Sequence, residues 1–169
     1  MNIQFEKPED KDRVRTINLQ AFETSAEADL VDALRLERVP VISLVAHERA
    51  RLFGHILFSP VTLEPDVPQL KLAALGPMAV VPEHQDESLG SMLVAQGLDF
   101  CRAEGYDAVV VLGYAGFYSR FGFVPAFSYG IRCQWDVPDD AFMIRELREG
   151  SLNGVSGTVR YHEAFAATI

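Results

Sequence analysis

The sequence predicts an α/β domain in which a mixed β-sheet is flanked by helices, and two patterns lead to that prediction. A buried strand at residues 72–81, an amphipathic helix at 88–104 and a buried strand at 108–112 follow one another. This is the order of a crossover that joins parallel strands. Two β-prone segments at 41–46 and 52–58, separated by a short polar turn, predict an antiparallel hairpin. Parallel and antiparallel neighbours together make the sheet mixed.

Shorter elements are predicted before and after the hairpin and the crossover. Alternating apolar residues predict a first strand at Ile3 and Phe5, and helical spacing predicts two helices before the hairpin. Three prolines, at positions 60, 65 and 68, predict a loop after it. Further strands are expected at 131–135, 142–147 and 158–161. Since the sequence has no internal repeat or low-complexity run, we expect one domain over residues 1–169.

Composition excludes several classes of function. The net charge of -9 argues against nucleic acid as a partner, because phosphate binding requires clustered Lys and Arg. No apolar run approaches the roughly 18 to 20 residues that span a bilayer, so no membrane association is expected. Cys101 and Cys133 have neither a disulfide framework nor zinc-site spacing. We therefore expect a cytoplasmic protein that binds no metal.

Gly76 and Pro77 interrupt the strand at 72–81. This pair cannot join a regular central ladder, so it predicts a bulge or local splay that exposes backbone N–H groups.

The junction between that strand and the following helix is suited to an anion. The first turn of a helix has N–H groups without helical partners, and the helix dipole favours negative charge there. A pyrophosphate is one anion that such a junction binds. On spacing alone, the same residues also fit an ordinary strand-to-helix loop.

Gln85, Ser88 and Gly90 lie in this junction, separated by two residues and then by one. They stand at the three fixed positions of a motif that is commonly Gln or Arg, two residues, Gly, one residue, then Gly or Ala. The junction therefore resembles the acetyl-CoA motif of the GNAT superfamily. The segment 112–123 is similar to one typical of a bacterial branch of predicted N-acetyltransferases, and the resemblance extends over nearly the whole chain. It implies the acyl-CoA N-acyltransferase fold, with six to seven mostly antiparallel strands and a splayed parallel pair at the CoA site.

The resemblance also implies where acetyl-CoA, as cosubstrate, would lie. Pantetheine would pair with the backbone of Met78, Ala79 and Val80, where an N–H near Met78 would polarise the thioester carbonyl. Tyr118 falls where GNAT enzymes often carry a tyrosine that protonates the departing thiolate. Its aromatic neighbours alone favour a core residue at Tyr118 over a catalytic one. The implied pyrophosphate site comprises Gln85, Asp86, Glu87, Ser88, Leu89, Gly90 and Ser91.

Three residues depart from the family pattern. Ser88 replaces the usual glycine, and its side chain restricts close approach of a pyrophosphate to the backbone, although its hydroxyl is itself a donor. Asp86 and Glu87 stabilise the start of a helix but repel a bound anion. Weaker cofactor binding is one expected consequence.

The activity that the resemblance implies is direct transfer of an acetyl group from acetyl-CoA to a primary amine. No general base is assigned, and Glu27, His55 and His84 are the candidates. The alternative is a non-catalytic acyl-CoA-binding or regulatory module with a degenerate pyrophosphate loop, and an interaction domain without a ligand is a further option. The sequence leaves open both the acceptor and whether the chain forms a homodimer.

Overall fold

The computed structural model describes residues 1–85 and 88–169. Two residues of the expected pyrophosphate loop, Asp86 and Glu87, lie outside the described residues. The described backbone contains four α-helices, which are α1 (Lys11–Ala21), α2 (Ala26–Leu36), α3 (Leu89–Ala103) and α4 (Ala115–Tyr118). The nine described strands are β1 (Asn2–Phe5), β2 (Ile42–Glu48), β3 (Arg51–Glu64), β4 (Leu72–Val80), β5 (Ala108–Leu112), β6 (Val124–Pro125), β7 (Ile131–Cys133), β8 (Phe142–Glu146) and β9 (Gly157–Arg160).

The chain forms two compact units that interleave along the sequence. The first comprises Met1–Ser59, Gly76–Gly97 and Glu163–Ile169, and the second comprises Pro60–Leu75 and Leu98–His162. Strands β3 and β4 and helix α3 each contribute residues to both units. The expectation of one domain over residues 1–169 stays a prediction.

In the first unit the strand order is β1-β2-β3-β4. The antiparallel β2–β3 pair runs from Ile42 opposite Phe58 to Glu48 opposite Arg51. Arg49 and Ala50 form the turn with positive φ angles of 53° and 42°. Two consecutive positive φ angles are the geometry of the tight turns that match strand twist, so the predicted hairpin is confirmed.

Glycines bring helix α3 close to strand β3. A Cβ atom at Gly54 would lie 3.0 Å from Leu93 Cδ1, and one at Gly97 would overlap the ring of Phe58. The Phe58 ring is buried against this helix, with 1% of its surface exposed. The two glycines therefore set how closely α3 approaches the sheet.

A buried histidine joins strands β2 and β3 to helix α1. Asn18 Nδ2 donates to Val14 O at 3.0 Å and lies 3.2 Å from His55 Nδ1. His55 Nε2 lies 2.9 Å from Ser43 Oγ. Burial, followed by the positive charge of Arg35, lowers the pKa of His55 from 6.5 to about 3. The ring is therefore neutral at physiological pH.

In the second unit the strand order is β3-β4-β5-β8-β6, and β9 pairs with both β3 and β7. Strands β4 and β5 are parallel, from Leu72 opposite Ala108 to Leu75 opposite Val111. The predicted strand, helix and strand crossover is confirmed. Most other pairs are antiparallel, so the sheet is mixed as predicted.

The structure differs from the sequence prediction in two respects. Strand β3 continues through Pro60 to Glu64, where a loop was expected. Pro60 lies between the ladder that ends at Phe58 and the ladder that begins at Thr62, so its missing N–H interrupts neither. The nine strands of the described residues exceed the six to seven expected, since short strands such as β6 have only two residues.

None of the helices within residues 1–85 and 88–169 is long and apolar enough to cross a membrane.

The buried histidine predicts an acid-sensitive fold. Below pH 6.5 the unfolded chain protonates at His55 while the folded chain does not, so stability is full above that pH and falls as the pH drops towards 3. Between pH 7 and about 4.5 this loss is on the order of 2 to 3 kcal/mol. We expect His55→Gln to remove it and His162→Gln to retain it, as measured by urea unfolding. An equal loss in all three proteins would contradict this assignment.

Candidate active site

The parallel ladder between β4 and β5 ends immediately before Gly76. Its last pair is Leu75 with Val111, and Gly76 has φ of +148°, a conformation that favours glycine. The chain continues as strand to Val80. Residues 76–80 therefore continue the strand past the last residue of β4 that pairs with β5. The ladder with β5 ends at the residues where the sequence predicts a bulge or local splay, while β4 itself continues without interruption.

Three residues proposed to contact pantetheine lie on this last part of β4. Ala79 and Val80 are buried, whereas Met78 is partly exposed. Val81 N donates to Phe53 O at 2.9 Å, which ties the end of the strand to β3. The backbone of residues 78–80 is consequently held in place on its β3 side.

Gln85 holds the turn that follows β4. Its Nε2 donates to Val80 O at 3.0 Å, and its backbone N donates to Pro82 O at 3.4 Å. A single turn of 3-10 helix, Pro82–His84, lies between Val80 and Gln85 along the chain. The side chain at the first motif position therefore connects the loop to the end of the strand.

Ser88, which stands where the motif usually has glycine, adopts a left-handed backbone conformation. Its φ is +62°, and its side chain is exposed. A non-glycine residue in this left-handed region costs about 1 to 2 kcal/mol. Ser88 O accepts a bond from Met92 N at 3.1 Å, so the residue also begins the hydrogen bonding of α3.

The first turn of α3 contains the other motif residues. Leu89 is buried and lies beside Gly54 of strand β3, while Gly90 and Ser91 are partly exposed. The N–H groups of Leu89 and Gly90 precede the bond that Met92 N donates to Ser88 O. This arrangement is suited to an anion at the helix start.

Tyr118 lies in the second unit, at the end of α4. Its ring packs over Gly113, where any Cβ atom would overlap it, and makes edge contacts with Phe117 and Phe123 at centroid distances of 4.9 and 5.6 Å. Burial raises the pKa of Tyr118 to about 12. The hydroxyl is therefore protonated at neutral pH and is available as a donor.

The candidate bases lie in different surroundings. His55 is fully buried and bonded on both ring nitrogens, so it has no access to a substrate. His84 packs edge-on against Phe53 at a centroid distance of 4.5 Å, and Glu27 is partly exposed in the first turn of α2. Of the three candidates, the structure removes His55.

Metal chemistry was not expected from the sequence. Within the part of the chain that the structure describes, no group of three His, Cys, Asp or Glu side chains is placed to hold a metal ion.

The sequence and fold match a known family. A family model described as the acetyltransferase (GNAT) domain matches residues 2–126, well over half of the chain. The chain belongs to the GNAT acetyltransferase family. The expected family and fold class are thereby confirmed.

Relatives support the same assignment over the whole chain. The uncharacterised N-acetyltransferase YhbS of Escherichia coli is 37% identical over 166 residues, which cover 98% of both proteins. The crystal structure of YhbS in complex with CoA has a TM-score of 0.92 and covers 97% of this GNAT chain and 91% of that one. A GNAT acetyltransferase of Brucella melitensis in complex with acetyl-CoA is 31% identical, with a TM-score of 0.80 and 97% coverage of each chain.

The structure brings most of the predicted site residues together in one unit. Residues 78–80, Gln85 and residues 88–91 all lie in the first unit, at the end of β4 and the start of α3. Sequence reasoning missed Gly54. Because this residue has no side chain, Leu89 and Leu93 of α3 can pack directly against β3. A glycine inside a predicted strand was the available signal, since it often marks close approach of another element.

Ser88→Gly tests the strain at the motif. Because glycine adopts φ of +62° without penalty, we expect the free energy of unfolding to rise by about 1 kcal/mol. Acetyl-CoA binding should be unchanged or tighter, as measured by calorimetry. Ser128→Gly is the matched control, because Ser128 has no positive φ and its Oγ donates to Pro125 O at 2.6 Å. Weaker acetyl-CoA binding by Ser88→Gly would instead identify the Ser88 hydroxyl as a ligand.

Proposed function

We propose that this protein transfers the acetyl group of acetyl-CoA to a primary amine, directly and within a ternary complex. The observation that carries the proposal is the part of β4 beyond its ladder with β5, residues 76–80, followed along the chain by a helix start that matches the acetyl-CoA motif. The relatives with bound CoA and acetyl-CoA support the identity of the cosubstrate.

In this proposal the backbone of strand β4 binds the pantetheine arm. Met78, Ala79 and Val80 provide N–H and C=O groups on the edge that the β4–β5 ladder leaves unused. An N–H near Met78 polarises the thioester carbonyl and stabilises the negative charge that develops on its oxygen. A donor on a strand that is fixed to β3 needs little reorganisation during the reaction.

The pyrophosphate is proposed to bind at the start of α3. The proposed site comprises Gln85, Asp86, Glu87, Ser88, Leu89, Gly90 and Ser91, with backbone N–H groups at the helix start as the donors. Gln85 fixes the loop through its bond to Val80 O. The charges of Asp86 and Glu87 oppose the bound anion, so backbone donors must supply most of the affinity.

The proposed reaction is a direct displacement. The neutral amine attacks the carbonyl carbon, the tetrahedral intermediate expels sulfur as the C–S bond breaks, and the amine nitrogen loses its extra proton to solvent. Tyr118 donates its hydroxyl proton to the departing thiolate and recovers a proton from solvent. Burial keeps the Tyr118 hydroxyl protonated, with a pKa of about 12. The raised pKa also makes the phenol a weaker acid, so the proposed transfer requires that exclusion of water raise the pKa of the departing thiol as well.

A second candidate function is a non-catalytic acyl-CoA-binding or regulatory module. The observation that favours it is Ser88, a strained residue at the position where the family motif has glycine. For both candidates we propose a cytoplasmic location, where the free thiols of Cys101 and Cys133 would stay reduced.

The test compares the natural protein with Tyr118→Phe in an assay that measures release of the CoA thiol with a panel of primary amines. We expect amine-dependent release by the natural protein. General-acid catalysis is typically worth about 10²- to 10⁴-fold, so kcat should fall by that factor in Tyr118→Phe while CoA affinity is retained.

The control is Tyr129→Phe, which removes a tyrosine hydroxyl elsewhere in the second unit and should leave kcat unchanged. Unimpaired kcat in Tyr118→Phe would assign this residue to the core instead. Binding of CoA without release of thiol by any amine would support the non-catalytic module.

A further inference from the structure

A half-open cavity of about 380 Å³ lies in the second unit, beside strand β7. Two buried side chains, Ile131 and Phe142, contribute to its lining, with exposed fractions of 0% and 3%. Two further aromatic side chains, Phe127 and Trp135, also line it. Its volume is near the lower end of the range of small-molecule sites, which runs from about 300 to 1,000 Å³.

The Trp135 side of this cavity is fixed by neighbouring contacts. The ring of Trp135 packs against Tyr161 with a centroid distance of 5.0 Å. The backbone N of Tyr161 donates to Gln134 Oε1 at 2.5 Å, which ties the segment before Trp135 to the end of β9. An aromatic surface held in this way binds a flat apolar group with little loss of conformational entropy.

The charged residues of the lining favour a cation. Asp136 and Asp139 are both exposed residues of the lining, and Arg132 is the single positive residue among them. The lining therefore has a formal charge of -1, within a protein of net charge -9. An ammonium group beside the two carboxylates is complementary to this charge, and the aromatic walls can add cation–π attraction.

A chain of contacts within the second unit joins the cavity to Tyr118. The Tyr118 ring lies over Gly113, and Gly113 N donates to Ala141 O at 2.9 Å. Ala141 stands between two residues of the cavity, Asp139 and Phe142. The hydrogen bond between Gly113 and Ala141 thus joins the backbone under the Tyr118 ring to the segment that contributes Asp139 and Phe142 to the cavity.

We propose that this cavity binds the acceptor, and that the acceptor is a small arylalkyl primary ammonium ion. Its ring packs on Trp135 and Phe127, and its charge pairs with Asp136 and Asp139. This inference rests on the proposed function, because it names the substrate class of that reaction. It assigns acceptor recognition to the segment between β7 and β8.

The experiment uses Trp135 as the reporter, because it is the only tryptophan in the chain. Its fluorescence is followed during titration with 2-phenylethylamine, with the neutral 2-phenylethanol and with the anionic 3-phenylpropanoate. Exposed ion pairs contribute about 0.2 to 1 kcal/mol each, so two pairs predict that the amine binds about 2- to 30-fold more tightly than the alcohol. The anion should bind most weakly, and high salt should reduce the differences.

Charge-neutral variants provide the control. Asp136→Asn combined with Asp139→Asn should bring the amine and the alcohol to similar affinity, whereas Asp140→Asn, an exposed neighbour outside the cavity lining, should keep the difference. Circular dichroism checks that each variant is folded. Equal binding of all three compounds, no saturable change in fluorescence, or the same loss in Asp140→Asn would overturn the proposal.

The thiol-release assay separates this proposal from the proposed function. With 2-phenylethylamine as acceptor, the Asp136 and Asp139 double variant should raise KM for the amine and leave CoA affinity and kcat nearly unchanged. Thiol release with an unaltered KM would overturn the acceptor site and leave acetyl transfer standing. Charge-selective binding at Trp135 without thiol release would support the ammonium site and contradict acetyl transfer.

Discussion

The architecture of the site depends on one backbone constraint, the end of the β4–β5 ladder at Leu75 and Val111. Gly76 has φ of +148° and Pro77 has no N–H, so this pair cannot continue regular pairing with β5. The strand nevertheless extends to Val80, where a bond from Val81 N to Phe53 O ties its end to β3. A strand held on one side provides fixed hydrogen-bonding groups on the other, which is what a thioester cosubstrate requires.

The helix start is positioned by contacts that lie away from the motif itself. Gly54 and Gly97 allow α3 to approach β3, and Gln85 fastens the intervening loop to Val80 O. Ser88 has a left-handed conformation at a position where the motif usually has glycine. None of these contacts involves a charged group, so we expect the acidic residues Asp86 and Glu87 to act on the affinity for an anion.

The sequence predicted the parts of the fold that depend on local pattern. Strand β5 has the bounds expected from its apolar run, and the motif at Gln85 identified the strand-to-helix junction. It did not predict that β3 continues past Pro60, because the partner strand β9 is distant in sequence. Nor could it show that His55, a candidate base, is enclosed between Asn18 and Ser43, since that burial arises only from tertiary packing.

Amide hydrogen exchange with and without acetyl-CoA tests the central claim most directly, because it reports on individual backbone N–H groups. If the cosubstrate binds along the end of β4 and at the start of α3, exchange should slow at residues 78–80 and 88–91. Residues of β1, in the same unit but at the far end of its strand order, should be unaffected. Binding of acetyl-CoA with protection elsewhere, and none at these two segments, would contradict the account.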